Sequence, residues 1–195
     1  APTTVDLGGM TVDTWAFNES VPGPLLRARL GDTLAVTVSN QLPEDTTIHW
    51  NGLALRNDMD GVPDLTQPPI RPGASFTYEF VAPHPGTYWF HPHVGTQLDR
   101  GLYAPLIIDD PADPGDYDLE ETIVLDDWLD GTGRTPPQVL SELQAGRMDM
   151  HGGPTGSTDY PASVLGGDPG DVTYPVFLLN GRIPTHPVTI QARPG

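Results

Sequence analysis

The sequence predicts an all-β protein: an antiparallel Greek-key β-sandwich, then a linker, then the opening strands of a second sandwich. Three observations carry this. The chain has 195 residues, and its 22 Gly and 23 Pro are dispersed between short alternating apolar runs, the punctuation of a strand-and-turn protein. Seven or eight such runs follow one another up to residue 110, the rhythm of a Greek-key sandwich. No apolar run is long enough to span a membrane.

In chain order, Val12 to Phe17 alternates weakly and ends at Asn18. Val21-Pro22-Gly23-Pro24 is a turn, Leu25 to Leu30 a strand, and Gly31-Asp32 a further turn signal. Thr33 to Asn40 alternates cleanly, with Leu34, Val36 and Val38 on one side, as in a half-buried antiparallel strand. Thr47 to Gly52 is the next strand. Residues 52 to 75 form a long connection broken at Asn57-Asp58, Gly61-Val62-Pro63 and Pro68-Pro69, and connections of this length are functional or disordered. Arg71-Pro72-Gly73 turns into Ser75 to Val81, where Phe76, Tyr78 and Phe80 share a face. Thr87 to His93 and Leu102 to Asp109 complete the first sandwich. Asp109 to Asp116 is an acidic, Pro-rich linker, expected to be solvated. Glu121 to Trp128 starts a new strand. Thr135 to Gly146 reads as a helix, with Thr135 as N-cap, Pro136 in the first turn and Gly146 as the stop. Residues 150 to 172 read as irregular, and Val176 to Leu179 and Val188 to Gln191 as short strands. The division expected is 1–112 for the first domain, 113–174 for the linker, irregular segment and first strand of the second, and 175–195 for its further strands.

Charge excludes some functions. The net charge is −17 and all nine basic residues are Arg, so a nucleic-acid partner is not expected. The absence of Cys removes disulfides and any thiolate site. A blue-copper centre needs a Cys ligand, so this chain cannot hold one alone. No signal peptide is visible, but Ala1 reads as a mature N-terminus left by cleavage. The expected location is therefore extracellular or periplasmic, off the membrane.

Chemistry concentrates in two strands. His91 and His93 are two residues apart on a strand, so both rings point to one face. A His-x-His pair on a stiff strand is half a transition-metal site. His49 and Asn51 share a face in the same way, with Ile48 and Trp50 on the other. If the strands are neighbours, three imidazoles and one amide converge. A lone histidine is more often structural or exposed. His84, His186 and the Met148-Asp149-Met150-His151 run read that way, the last with thioethers that suit a soft ion.

Together these runs resemble the N-terminal part of a laccase-like, three-domain multicopper oxidase. The matching stretches are Phe17-Asn18 with Pro22-Gly23-Pro24, Gly31-Asp32-Thr33-Leu34, Ile48-His49-Trp50 with Gly52, Asp60-Gly61-Val62, Thr66-Gln67 with Pro69-Ile70, Pro85 to Trp89 with His91-Pro92-His93, and Gly101-Leu102-Tyr103 with Pro105-Leu106-Ile107. Most of residues 10 to 110 are covered. The likeness resumes at Leu125 to Trp128 and Leu179-Asn180-Gly181. It implies cupredoxin-like sandwiches, the second incomplete, and copper as cofactor in a trinuclear cluster shared with domains not in this chain. In that family the cluster reduces dioxygen to water with electrons from a small reducing substrate, taken up at a type 1 copper in the last domain. By resemblance, His49 looks like the type 2 copper ligand, and His91 and His93 look like ligands of the two type 3 coppers. Asp60 looks like the carboxylate beside the cluster that assists proton delivery; as an Asp-Gly pair it reads equally well as a turn residue. Asn51 stands where the family has His, a substituted ligand position, and an amide is a poor replacement for imidazole on copper.

The expected partners are the remaining domains of the oxidase or a complementing chain, with a homo-oligomer as a further arrangement. Alone, the chain is expected to be inactive. Two other readings compete: a non-redox module whose three histidines hold one zinc or copper ion, and a structural fragment that completes another chain.

Overall fold

The computed structural model describes residues 1–113, 115, 117–150, 172, 174–185 and 189–192, without the side chains of 143 and 145–150. Ten strands and one α-helix occur among them. A four-stranded sheet is built from β3 (Leu26–Arg29), β8 (Ala104–Asp109), β7 (Gly86–His91) and β5 (His49–Asn51), in that spatial order. β3 and β8 are parallel, and the other pairs are antiparallel. Facing it, β4 (Thr33–Ser39) pairs with β6 (Ser75–Val81) along their whole length. Two further ribbons complete the fold: β1 (Pro2–Asp6) with β2 (Thr11–Trp15), and β9 (Leu125–Trp128) with β10 (Val176–Leu179). The all-β sandwich expected from the alternating runs is present.

The main core lies between the four-stranded sheet and the β4–β6 pair. Leu34, Ile48, Trp50, Tyr78, Phe80, Phe90, Leu106 and Ile108 are buried together there. The alternation seen in sequence explains it: Tyr78 and Phe80 face inward from β6, Trp50 from β5 and Phe90 from β7. The Trp50 ring stacks edge-on or tilted against Tyr78, Phe80 and Phe90, with centroids 4.8–5.7 Å apart, a geometry that aromatic quadrupoles favour. A second core joins the two ribbons, where Leu7, Val12, Tyr103, Trp128 and Leu178 are buried together. Contacts thus run from the first residues of the chain to β10, and the Ile183 amide donates to the Leu7 carbonyl at 2.6 Å.

Several boundaries differ from the sequence expectation. β1 was not expected; its outer residues alternate only between exposed and half-buried, and its stability comes from the ladder with β2. The strand expected from Glu121 begins only at Leu125. The helix α1 runs Pro136–Met150, past Gly146. Its start is as expected: the Gln138 amide donates to Thr135 Oγ1 while the Thr135 amide donates to Gln138 Oε1, a reciprocal cap. Residues 189–191 of the expected strand Val188–Gln191 pair with no strand among the described residues; Val188 lies outside them, as do His151 and His186. The acidic linker is not simply solvated. Asp109 accepts two hydrogen bonds from Arg27, at 2.9 and 2.7 Å, and Asp110 and Asp113 accept from backbone amides two residues on.

Candidate metal centre

The antiparallel register of β5 and β7 sets His49 directly opposite His91 and Asn51 opposite Trp89. Trp50 and Phe90, one step along each strand, turn inward to the core. The outer face of this corner therefore carries His49, Asn51, His91 and Trp89, and His93 follows just past the end of β7. Ring centroids are 5.8 Å apart for His49 and His91, 4.7 Å for His49 and His93, and 5.7 Å for His91 and His93. The three imidazoles do converge, well inside the reach of one cluster.

Two rings have a defined proton. His49 Nδ1 lies 2.8 Å from the Asp60 carbonyl, and His91 Nδ1 lies 2.9 Å from the Pro92 carbonyl. A carbonyl only accepts, so each Nδ1 carries a hydrogen, and a neutral ring in that tautomer has its lone pair on Nε2. The tautomer set by the carbonyls makes Nε2 the ligand atom of each ring, with its orientation set by the hydrogen bond behind it. Burial pushes the His91 pKa down, with the nearby His49 and His93 adding to the effect and the Pro92 carbonyl opposing it. His91 is buried and stacks on Trp89 at 4.3 Å, whereas His93 is exposed.

The Asp60 contact depends on a glycine. Gly61 has φ +78°, and a Cβ there would lie 1.7 Å from the Ile48 carbonyl oxygen. Only Gly lets the long 52–75 connection press against the entry to β5, and that contact brings Asp60 to His49. The Asp60 carboxylate is itself 3.4 Å from His49 Nδ1 and partly exposed.

The geometry corrects one reading from sequence. Among the described residues, no group of three His, Cys, Asp or Glu side chains closes on a single metal-ion position. The physical reason lies in the rings: His91 and His93 are stacked at 25°, so their in-plane lone pairs run side by side and do not meet at one point. A single zinc or copper ion held by all three histidines does not fit. Separate ions, each touching a different ring, do fit the donor set: three imidazoles on one face, two with Nδ1 committed to carbonyls. Asn51 is half-buried on the same face, beside the His49–His91 pair, and makes no side-chain hydrogen bond among the described residues. His84 is exposed, as expected.

Sequence reasoning missed the two carbonyls and Trp89. Backbone acceptors leave no trace in residue identity. Trp89 was visible as the residue two before His91 on the same face, and that spacing is the signal that finds the stack.

The family profile described as "Multicopper oxidase" matches residues 2–113. A multicopper oxidase of Mycobacterium tuberculosis, MmcO, is 48% identical over the whole of this chain, which covers 39% of that relative. The copper resistance protein A of Escherichia coli is 40% identical, over 73% of this chain and 23% of its own length. Among solved structures, a multi-copper oxidase from Pseudomonas thermotolerans aligns over 94% of this chain and 40% of its own, with a TM-score of 0.70 and 31% identity. The laccase from Botrytis aclada aligns over 93% of this chain and 29% of its own, with a TM-score of 0.68 and 35% identity. The chain spans at most about two-fifths of the length of each of these.

Proposed function

The chain belongs to the multicopper oxidases, and from that premise we propose that it is the N-terminal part of a laccase-like oxidase, supplying part of its trinuclear copper cluster. The observation that carries this is the set of three converging imidazoles, two with Nδ1–H committed to carbonyls. When bound, the coppers supply one-electron acceptance from a small reducing substrate and four-electron reduction of dioxygen to water.

The residues of this chain act around that chemistry. His49 is proposed as the ligand of the type 2 copper, and His91 and His93 as ligands of the two type 3 coppers. The Asp60 carbonyl and the Pro92 carbonyl hold the first two rings at a fixed angle. The Asp60 carboxylate, close to the His49 ring and open to solvent, is placed to take up or release protons that the reduction of dioxygen consumes. Trp89 covers one face of His91 and limits water there. Asn51 would stand at a ligand position with an amide, a weaker donor, so a copper there would be held less tightly. The type 1 site requires a thiolate and therefore lies in residues outside this chain. The remaining domains, in the same polypeptide or a complementing one, would close the exposed side of the His face, and the chain alone would be inactive. An extracellular or periplasmic setting fits an oxidase that meets its substrate outside the cytoplasm; among the described residues no helix is long and apolar enough to cross a membrane.

The test uses the complete oxidase carrying this sequence. His91→Ala should lower copper per molecule and abolish oxygen uptake with a phenolic substrate, while the blue absorption of type 1 copper persists. Asn51→His should raise copper content and turnover together. Full copper and unchanged oxygen uptake in His91→Ala would refute the ligand assignment.

A further inference from the structure

We infer that Gln97 is the positioning residue that ties the two His-bearing segments together and holds His93 in place. The inference rests on the copper-ligand reading above. β7 ends at His91, so His93 lies beyond the ladder. Pro92 has no amide hydrogen to extend it. Among the described residues, the next hydrogen bonds from this segment to a distant part of the chain are those of the Gln97 side chain.

That side chain is only 1% exposed and makes three hydrogen bonds. Its Nε2 donates to the Glu44 carboxylate at 2.8 Å and to the Asp45 carbonyl at 2.7 Å, and its Oε1 accepts from the Thr46 hydroxyl at 2.7 Å. The partners fix the orientation of the amide, because a carboxylate and a carbonyl cannot donate. The three partners are consecutive residues, and the last lies three positions before His49. Their own position is secured, since Thr46 and Ile70 exchange backbone hydrogen bonds at 3.0 and 2.8 Å.

The other side of Gln97 is secured as well. Arg100 donates to the buried Asp130 at 3.1 Å and lies 4.0 Å over the Trp15 ring. Residues 92–96 are thus an arc between the β7 ladder and a buried amide, with Arg100 as a second anchor three residues further on. Losing the amide moves the downstream anchor from Gln97 to Arg100 and lengthens the arc without a distant side-chain anchor from residues 92–96 to 92–99. The His49–His91 pair keeps its ladder, so the loss falls on His93. Gln97 touches none of the imidazoles and acts only through the chain it anchors.

The experiment compares three variants of the complete, copper-loaded oxidase by the rate of cluster-copper loss to a chelator and by Tm. Gln97→Met removes all three bonds at similar length, and Thr46→Val removes one. Leu178→Ala truncates the second core as a purely structural control. Gln97→Met should lose cluster copper at least about threefold faster, less than the roughly tenfold effect of residues bonded directly to a metal ligand. Thr46→Val should shift the same way by a smaller factor. Leu178→Ala should lower Tm without changing copper loss. If Gln97→Met does not fold, Thr46→Val decides. Copper loss that merely follows Tm across the three variants, or that is unchanged in Gln97→Met and Thr46→Val, overturns the inference alone. If His93→Ala retains copper as the parent does, the ligand reading falls first and the positioning role with it.

Discussion

The four-stranded sheet and the β9–β10 ribbon turn opposite chemistry toward solvent. The outer face of the sheet at β5 and β7 shows imidazoles, an amide and one indole, while its inner face is sealed by Trp50 and Phe90 against Tyr78 and Phe80. The ribbon also seals its inner face, with Trp128 and Leu178. Its outer face leaves Leu125 75% and Phe177 66% exposed. The contrast teaches that the His face can stay polar and open because its stability is supplied from behind. The ribbon has a smaller core behind it and an apolar outer face that nothing covers among the described residues.

Removing the backing should break the comparison most strongly. Trp50→Ala is expected to cost about 3–5 kcal/mol in denaturant unfolding, the range for truncating a buried aromatic side chain. Phe177→Ser on the ribbon should change stability by less than about 0.5 kcal/mol. Equal losses at the two positions would mean that the ribbon's outer face is packed against something.

A smaller effect tests how the loop is pressed onto the site. Gly61→Ala puts a Cβ into the Ile48 carbonyl and forces an L residue to φ +78°. It should cost about 2 kcal/mol, from left-handed strain and displaced backbone together. It should also release the His49 Nδ1 proton from the Asp60 carbonyl, visible as a change in the His49 imidazole nitrogen resonances. An unchanged His49 signal would show that the carbonyl does not hold the ring.

These contrasts also separate what residue identity reveals from what it does not. The faces of β4 and β6 were legible because Leu34, Tyr78 and Phe80 alternate with polar residues. The convergence of His49, His91 and His93 followed from two-residue spacing once the strands were taken as neighbours. The Asp60 and Pro92 carbonyls were not legible, since any residue could supply them, and neither was the three-residue length of β5. β1 escaped because Pro2-Thr3-Thr4-Val5-Asp6 offers a single aliphatic side chain. Its pairing with β2 is a property of two segments, not one. The one-ion reading failed on ring orientation, which spacing does not contain.

A pH-dependent effect of about 1 kcal/mol is expected on the ribbon's acidic side. Burial pushes Asp126 up to about 6, against the hydrogen bond from Tyr103 and with Asp127 and Asp99 nearby. The folded protein then holds this proton more tightly than the unfolded chain does. Its stabilising contribution is full below the unfolded value of 3.8 and is lost as pH rises through about 6. Asp126→Asn should therefore gain about 1 kcal/mol over the parent at pH 7, allowing for solvent screening of the partly exposed group, and nothing near pH 3. Tm measured across that range checks it; a gain that does not depend on pH would contradict the assignment.

The central claim is that the three imidazoles serve more than one ion. Anomalous diffraction at the copper edge, on crystals of the complete oxidase, addresses it directly. The account predicts at least two copper peaks beside His49, His91 and His93, each about 2 Å from an imidazole nitrogen. A single peak shared by all three rings, or no copper beside them, would contradict it.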